Sequence, residues 1–67
     1  MSQTKDILYH LKNYETITPL EALSLYGIMR LGARIFDLKK LGFEIQTSTI
    51  QKNGKHFAEY RRVKWEN

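Results

Sequence analysis

Residues 18–42, TPLEALSLYGIMRLGARIFDLKKLG, limit what this chain can fold into more than any other stretch. Thr18 has the side-chain oxygen that an N-cap needs. Pro19 suits the first helical position, where its missing donor costs nothing, and Glu21 completes a Thr-x-x-Glu capping box. A helix over residues 19–26 is therefore predicted to start sharply. It stops at Gly27, which permits the left-handed conformation of a tight turn. A second helical pattern then runs over residues 30–41 and ends at Gly42. Two short helices joined through one glycine are the layout of a helix-turn-helix.

Each helix has an apolar side. Leu20, Ala22, Leu23 and Tyr26 are available to pack from the first, and Ala22 is small enough for a close crossing. In the second, Leu31, Ile35 and Leu38 share one stripe at 100° per residue, extended by Ile28. Gly32 lies at the stripe's shoulder, where it would let a neighbouring helix approach. The opposite face consists of Arg30, Ala33, Asp37 and Lys40, with Met29 and Phe36 at one side and Arg34 at the other.

Upstream, Ile7, Leu8, Leu11 and Tyr14 form one stripe of a helix over residues 4–13. His10 falls among its polar residues and reads as an ordinary surface histidine. Thr16 and Ile17 are suited to a short extended piece that pairs with a later strand. After Gly42 the period changes to two: Phe43, Ile45, Thr47 and Thr49 alternate with Glu44, Gln46 and Ser48. Asn53-Gly54 is the preferred pair for a type I′ hairpin turn. Centring the hairpin there sets Ile50 opposite Phe57, Thr49 opposite Ala58, Thr47 opposite Tyr60 and Gln46 opposite Arg61. Ile45, Ala58 and Tyr60 then share the core side, and Ile50 and Phe57 pair on the outer side. The tail at 64–67 carries the single tryptophan, Trp65, placed either to fold back on the core or to meet a second subunit.

The whole is an α+β chain: three helices followed by a two-stranded antiparallel β-hairpin, in one domain over residues 1–67. A chain this small buries only about 60% of the surface its unfolded state exposes. With no cysteine there is no disulfide to compensate, and a reducing, cytoplasmic setting is expected. No apolar run has the length of a membrane span, and the N-terminus lacks a signal-peptide layout. His10 and His56 are far apart in sequence, no acidic and histidine cluster has metal-ligand spacing, and the glycines occur singly. Neither catalysis, nor a metal, nor a cofactor is expected.

Charge points elsewhere. Residues 1–28 carry two basic against three acidic groups, whereas residues 29–67 carry nine against four, a net of +5. A basic half after a near-neutral half suits a polyanionic partner.

TPLEAL at 18–23, GI-x-RL-x-ARI at 27–35 and DLKKLGFEI at 37–45 resemble the small winged helix-turn-helix proteins of bacteriophages and prophages, over about Ile7 to Arg62. The resemblance implies double-stranded DNA binding in phage gene regulation or recombination control. The third helix would enter the major groove with the hairpin wing on the flanking backbone. The candidate DNA-binding residues are then Arg30, Ala33, Arg34, Asp37 and Lys40 on the helix, with Lys52 and Lys55 flanking the wing tip. Asp37 would serve by orienting Arg34 or Lys40, or by accepting from a cytosine amino group. Gly32 and Ala33 between Arg30 and Arg34 leave few base-reading side chains, so a homodimer or tandem binding is expected to complete specificity. The sequence also admits two alternatives: an excisionase-like architectural protein, and a protein-interaction module such as a phage-encoded inhibitor or adaptor. In the latter, an apolar patch of Met29, Phe36, Ile50 or Phe57 would mark a protein partner.

Overall fold

In the computed structural model, residues 3–65 are described. Their order is α1 (Gln3–Tyr14), β1 (Thr16–Ile17), α2 (Pro19–Tyr26), α3 (Leu31–Lys40), β2 (Ile45–Lys52) and β3 (Lys55–Arg62). Of the 64–67 tail, Glu66 and Asn67 lie outside the described residues.

The capping box forms in full: the Glu21 amide donates to Thr18 Oγ1 at 3.2 Å, and the Thr18 amide donates to Glu21 Oε1 at 2.9 Å. At the other end of α2, Gly27 adopts φ 68°, and the Ile28 amide reaches back to the Ala22 carbonyl at 3.1 Å. That bond, reaching six positions back, closes the turn and delivers Ile28 into the core. The third helix is shorter than its apolar pattern, because Arg30 is the N-cap and Leu41 the C-cap of α3.

The sheet has three strands, in the order β1-β3-β2, rather than the two of an isolated hairpin. β1 adds Thr16 opposite Arg61 and Ile17 opposite Tyr60, which ties the wing's base to the helices. The hairpin register follows from the Asn53-Gly54 turn, whose φ values of 52° and 75° are both positive as a type I′ turn requires. Every cross-strand pair expected from that centring is present.

The core gathers Ile7 and Leu11 from α1, Ile17 from β1, Ala22 and Ile28 around the turn, the Leu31-Ile35-Leu38 stripe of α3, and Ile45. Tyr60 packs against this cluster from the sheet, and Trp65 folds back onto Phe43, with ring centroids 5.1 Å apart, donating to the Glu44 carbonyl. Trp65 therefore closes on its own domain.

Three expectations need correction. His10 is buried, only 3% exposed, between α1 and α2: its Nδ1 lies 2.9 Å from the Tyr26 hydroxyl. The periodicity of α1 missed it because the polar residue sits one turn from Ile7, on the side that α2 covers. Leu20 and Leu23 remain 72% and 49% exposed, so Ala22 is the one buried residue of α2. At Gly32 the close neighbour is the Tyr60 hydroxyl from β3, 3.5 Å from where a Cβ would stand, rather than a crossing helix.

Two glycine-to-alanine changes should therefore move stability in opposite directions. Gly27→Ala forces a Cβ into the left-handed region and should cost about 1–2 kcal/mol. Gly32→Ala meets only an ordinary van der Waals contact and should gain up to about 1 kcal/mol in helix propensity. Urea-unfolding midpoints of the two variants, displaced to either side of the parent, check this pair. Tyr26 holds its proton more tightly than an ordinary tyrosine, first because of burial and then through Tyr14, Tyr9, Asp6 and Glu21, so it faces His10 as a neutral hydroxyl. Tyr26→Phe strands His10 Nδ1 without a partner and should cost about 1–3 kcal/mol by the same measurement.

Candidate nucleic-acid interface

The turn at Gly27 and the α3 stripe fix which groups face outward. With Leu31, Ile35 and Leu38 buried, Gly32, Ala33, Phe36, Lys39 and Lys40 are exposed, and Arg34 and Asp37 lie at the margin. Arg30 stands exposed just ahead of the helix, with no side-chain cap on α3's first amides. Those amides and the helix dipole favour an anion at this end.

The candidate residues are differently engaged. Arg34 pairs with Asp37 at 3.1 Å, both side chains more than a third exposed. Its Nε is shielded and has no hydrogen-bond partner among the described residues. Asp37 thus holds Arg34 in place rather than Lys40, whose ammonium lies 5.2 Å from the Phe36 ring centroid. Arg30 lies beside Arg34 in a shallow depression of about 290 Å³, lined also by Gln3, Gly27 and Met29. Gln3 was not foreseen in this group. It belongs to the first turn of α1, and nothing in its local sequence signals that α1 starts beside the α2–α3 turn.

Lys52 and Lys55 are directly opposite each other at the wing tip, both exposed, and neither has an ion-pair partner among the described residues. Like charges facing across a hairpin are mildly destabilising, and a phosphate between them would remove that repulsion. The rest of β3's basic charge is engaged internally: Arg61 pairs with the Glu15 carboxylate, and Arg62 Nε donates to the Leu11 carbonyl at 2.7 Å.

The apolar candidates do not gather into one patch on α3. Met29, 85% exposed, stands at the turn, and Phe36 is exposed farther along the helix. Ile50 and Phe57 are cross-strand partners and partly buried. Met29 and Phe57 do line a common groove of about 580 Å³, along with Leu20 and Leu23 of α2. Among the described residues, no group of three or more His, Asp or Glu is placed to hold a metal, and no helix is long and apolar enough to cross a membrane.

A sequence-family model described as a winged helix-turn-helix domain matches residues 2–63. No curated protein and no solved structure matches the chain significantly. The family match spans the three helices, the short first strand and the whole wing. The chain belongs to the winged helix-turn-helix domain family, and that membership implies DNA binding.

Proposed function

We propose that this domain is a non-enzymatic, cytoplasmic regulator of transcription, of phage or prophage type, that inserts α3 in the major groove of double-stranded DNA and rests its wing on the flanking backbone. The observation that carries this reading is the placement of cations. Arg30 and Arg34 stand together at the uncapped start of α3, and Lys52 and Lys55 face each other at the wing tip. Phosphates attract both groups, and Arg30 is the side chain best placed to reach a base edge. Ala33 offers a small surface against the groove, and Lys40, carried on Phe36, meets backbone at the far end of the helix. The phage assignment draws on the likeness of TPLEAL, GI-x-RL-x-ARI and DLKKLGFEI to phage and prophage domains. A single module of this kind covers about 600–1,000 Å², so a second copy on the DNA completes the specificity.

Two alternatives have their own support. An excisionase-like architectural role uses the same surface, and bending of a bound fragment distinguishes it. A protein-interaction role draws on the apolar groove of Leu20, Leu23, Met29 and Phe57. A protein that had exchanged DNA for such a role would show no salt-dependent duplex binding.

Duplex binding followed by fluorescence anisotropy over a range of salt concentrations tests the main reading. About four cationic contacts should give a slope of log K against log salt of about −3.6. Lys52→Ala and Lys55→Ala should each reduce that slope by about one, whereas Arg30→Ala should cost about 1–3 kcal/mol and relax the preference at one base pair. No binding at low salt, or affinity indifferent to salt, overturns it.

Asp37 supplies a second test. It lies on the DNA-facing side and holds Arg34, yet a half-exposed pair of this kind is worth only about 0–1 kcal/mol. Asp37→Asn should leave the unfolding midpoint nearly unchanged. Duplex affinity should rise by up to about tenfold, the factor given by about 1.4 kcal/mol, because a charge that repels phosphate is removed. A loss of affinity would show that Asp37 itself contacts a base.

A further inference from the structure

α2 is held to the body of the domain by little apolar burial. Ala22 is its one fully buried residue, and Leu20, Leu23 and Leu25 are exposed. Against this sparse contact one polar group spans the helix. His10 places Nδ1 2.9 Å from the hydroxyl of Tyr26, the last residue of α2, and Nε2 4.0 Å from Oε1 of Glu21 in its first turn. Nε2 is shielded from solvent and has no hydrogen-bond partner among the described residues. The Glu21 oxygen it faces is the one that accepts from the Thr18 amide in the capping box.

We propose, building on the DNA-binding reading, that His10 is a positioning residue for the helix-turn-helix. It ties both ends of α2 to α1, and proton uptake by its ring converts the open approach to Glu21 into a hydrogen-bonded ion pair that seats α2 and strengthens DNA binding.

The proton count is simple. In the neutral ring facing a carboxylate, Nε2 carries the hydrogen and Nδ1 accepts from the Tyr26 hydroxyl. A proton taken from solvent goes to Nδ1, the Tyr26 hydroxyl turns to accept, and the charged ring donates from Nε2 to Glu21. A hydrogen bond between ionised partners is shorter than the present 4.0 Å separation, so the start of α2 moves toward α1. Through the Gly27 turn the same motion reaches Met29 and Arg30, at the start of α3. The other titratable groups that act at this site are Tyr14, Tyr9 and Asp6 on α1, Tyr14 with its ring 4.8 Å from that of His10. On β3, Arg61 is paired with Glu15 and Arg62 with the Leu11 carbonyl, so neither competes for the imidazole.

The test compares the full chain with its Glu21→Gln variant, because glutamine keeps the capping box and removes only the charge. Both proteins carry His56→Gln, which silences the exposed wing histidine. NMR follows the His10 ring and the Thr18 amide from about pH 7.5 to 5.5, the range in which histidines change charge. The Thr18 amide is expected to shift in step with the His10 ring, and Glu21→Gln to uncouple them. Affinity for a mixed-sequence duplex is expected to rise about fivefold toward acid in the protein that retains Glu21, a coupling of ordinary allosteric size. The Glu21→Gln variant is expected to lack that rise.

Three results overturn the proposal: a His10 ring that stays neutral throughout, a Thr18 amide indifferent to its titration, or the same pH profile of affinity in both proteins. If no duplex binds at any pH, the DNA-binding reading fails separately, and the coupling of His10 to α2 is still decided by the amide.

Discussion

The seam between the end of α1 and the base of β3 is the contact on which the rest of the domain depends. Glu15 takes a left-handed conformation at φ 73°, unfavourable for a residue with a Cβ by about 1–2 kcal/mol. It stays there because three bonds converge on the turn: the Arg62 amide donates to the Glu15 carbonyl, Arg62 Nε to the Leu11 carbonyl, and Arg61 to the Glu15 carboxylate. The partners are separated by most of the chain, so loop-closure entropy opposes the seam and burial of the core it encloses must offset that cost. Once closed, it brings Ile17 opposite Tyr60 and holds α1 against both the sheet and α3. The placement of the wing's base is thereby fixed by a turn at the end of α1, outside both α3 and the wing tip.

What the sequence revealed was local. The capping box, the Gly27 turn, the α3 stripe and the hairpin register each depend on residues within a few positions of one another, and each formed as their chemistry requires. The candidate cations on α3 and at the wing tip were legible for the same reason, since periodicity and turn geometry alone decide that they face outward. What was hidden depends on partners distant in the chain. Whether His10 is buried is decided by Tyr26, whether Leu20 packs is decided by how little of α2 the body covers, and the neighbour of Gly32 comes from β3. Gln3 joins the arginines only because α1 packs on α3.

Net charge proved a coarser guide than the placement of each charge. The basic half of the chain suggested a polyanion, but Arg61 and Arg62 close the seam, Arg34 is held by Asp37, and Lys40 lies over Phe36. Arg30, Lys52 and Lys55 are the candidate cations left without an ion pair or a ring contact among the described residues. An arginine already held is not thereby lost to DNA. Fixing its long side chain in the free protein lowers the ordering entropy that binding must otherwise overcome, and the planar guanidinium keeps donors to spare after one bidentate or single contact. Arg34 is therefore the oriented cation of the pair and Arg30 the adaptable one.

This division bears on how so small a surface would discriminate between sequences. On the reading proposed above, phosphate contacts from the wing and from Arg34 would set register and orientation on the duplex without carrying sequence information themselves. Reading would then fall to the groups that the register brings to the groove, with the bidentate donor set of Arg30 foremost among them. A single arginine is suited to guanine and contributes about 1–3 kcal/mol of discrimination, far less than a genomic site demands. The remainder has to come from DNA shape at the wing or from a second domain on an adjacent half-site. Both would depend on the spacing between α3 and the wing, so the Glu15 seam, distant from Arg30 in the chain, would govern how much specificity the arginines could deliver.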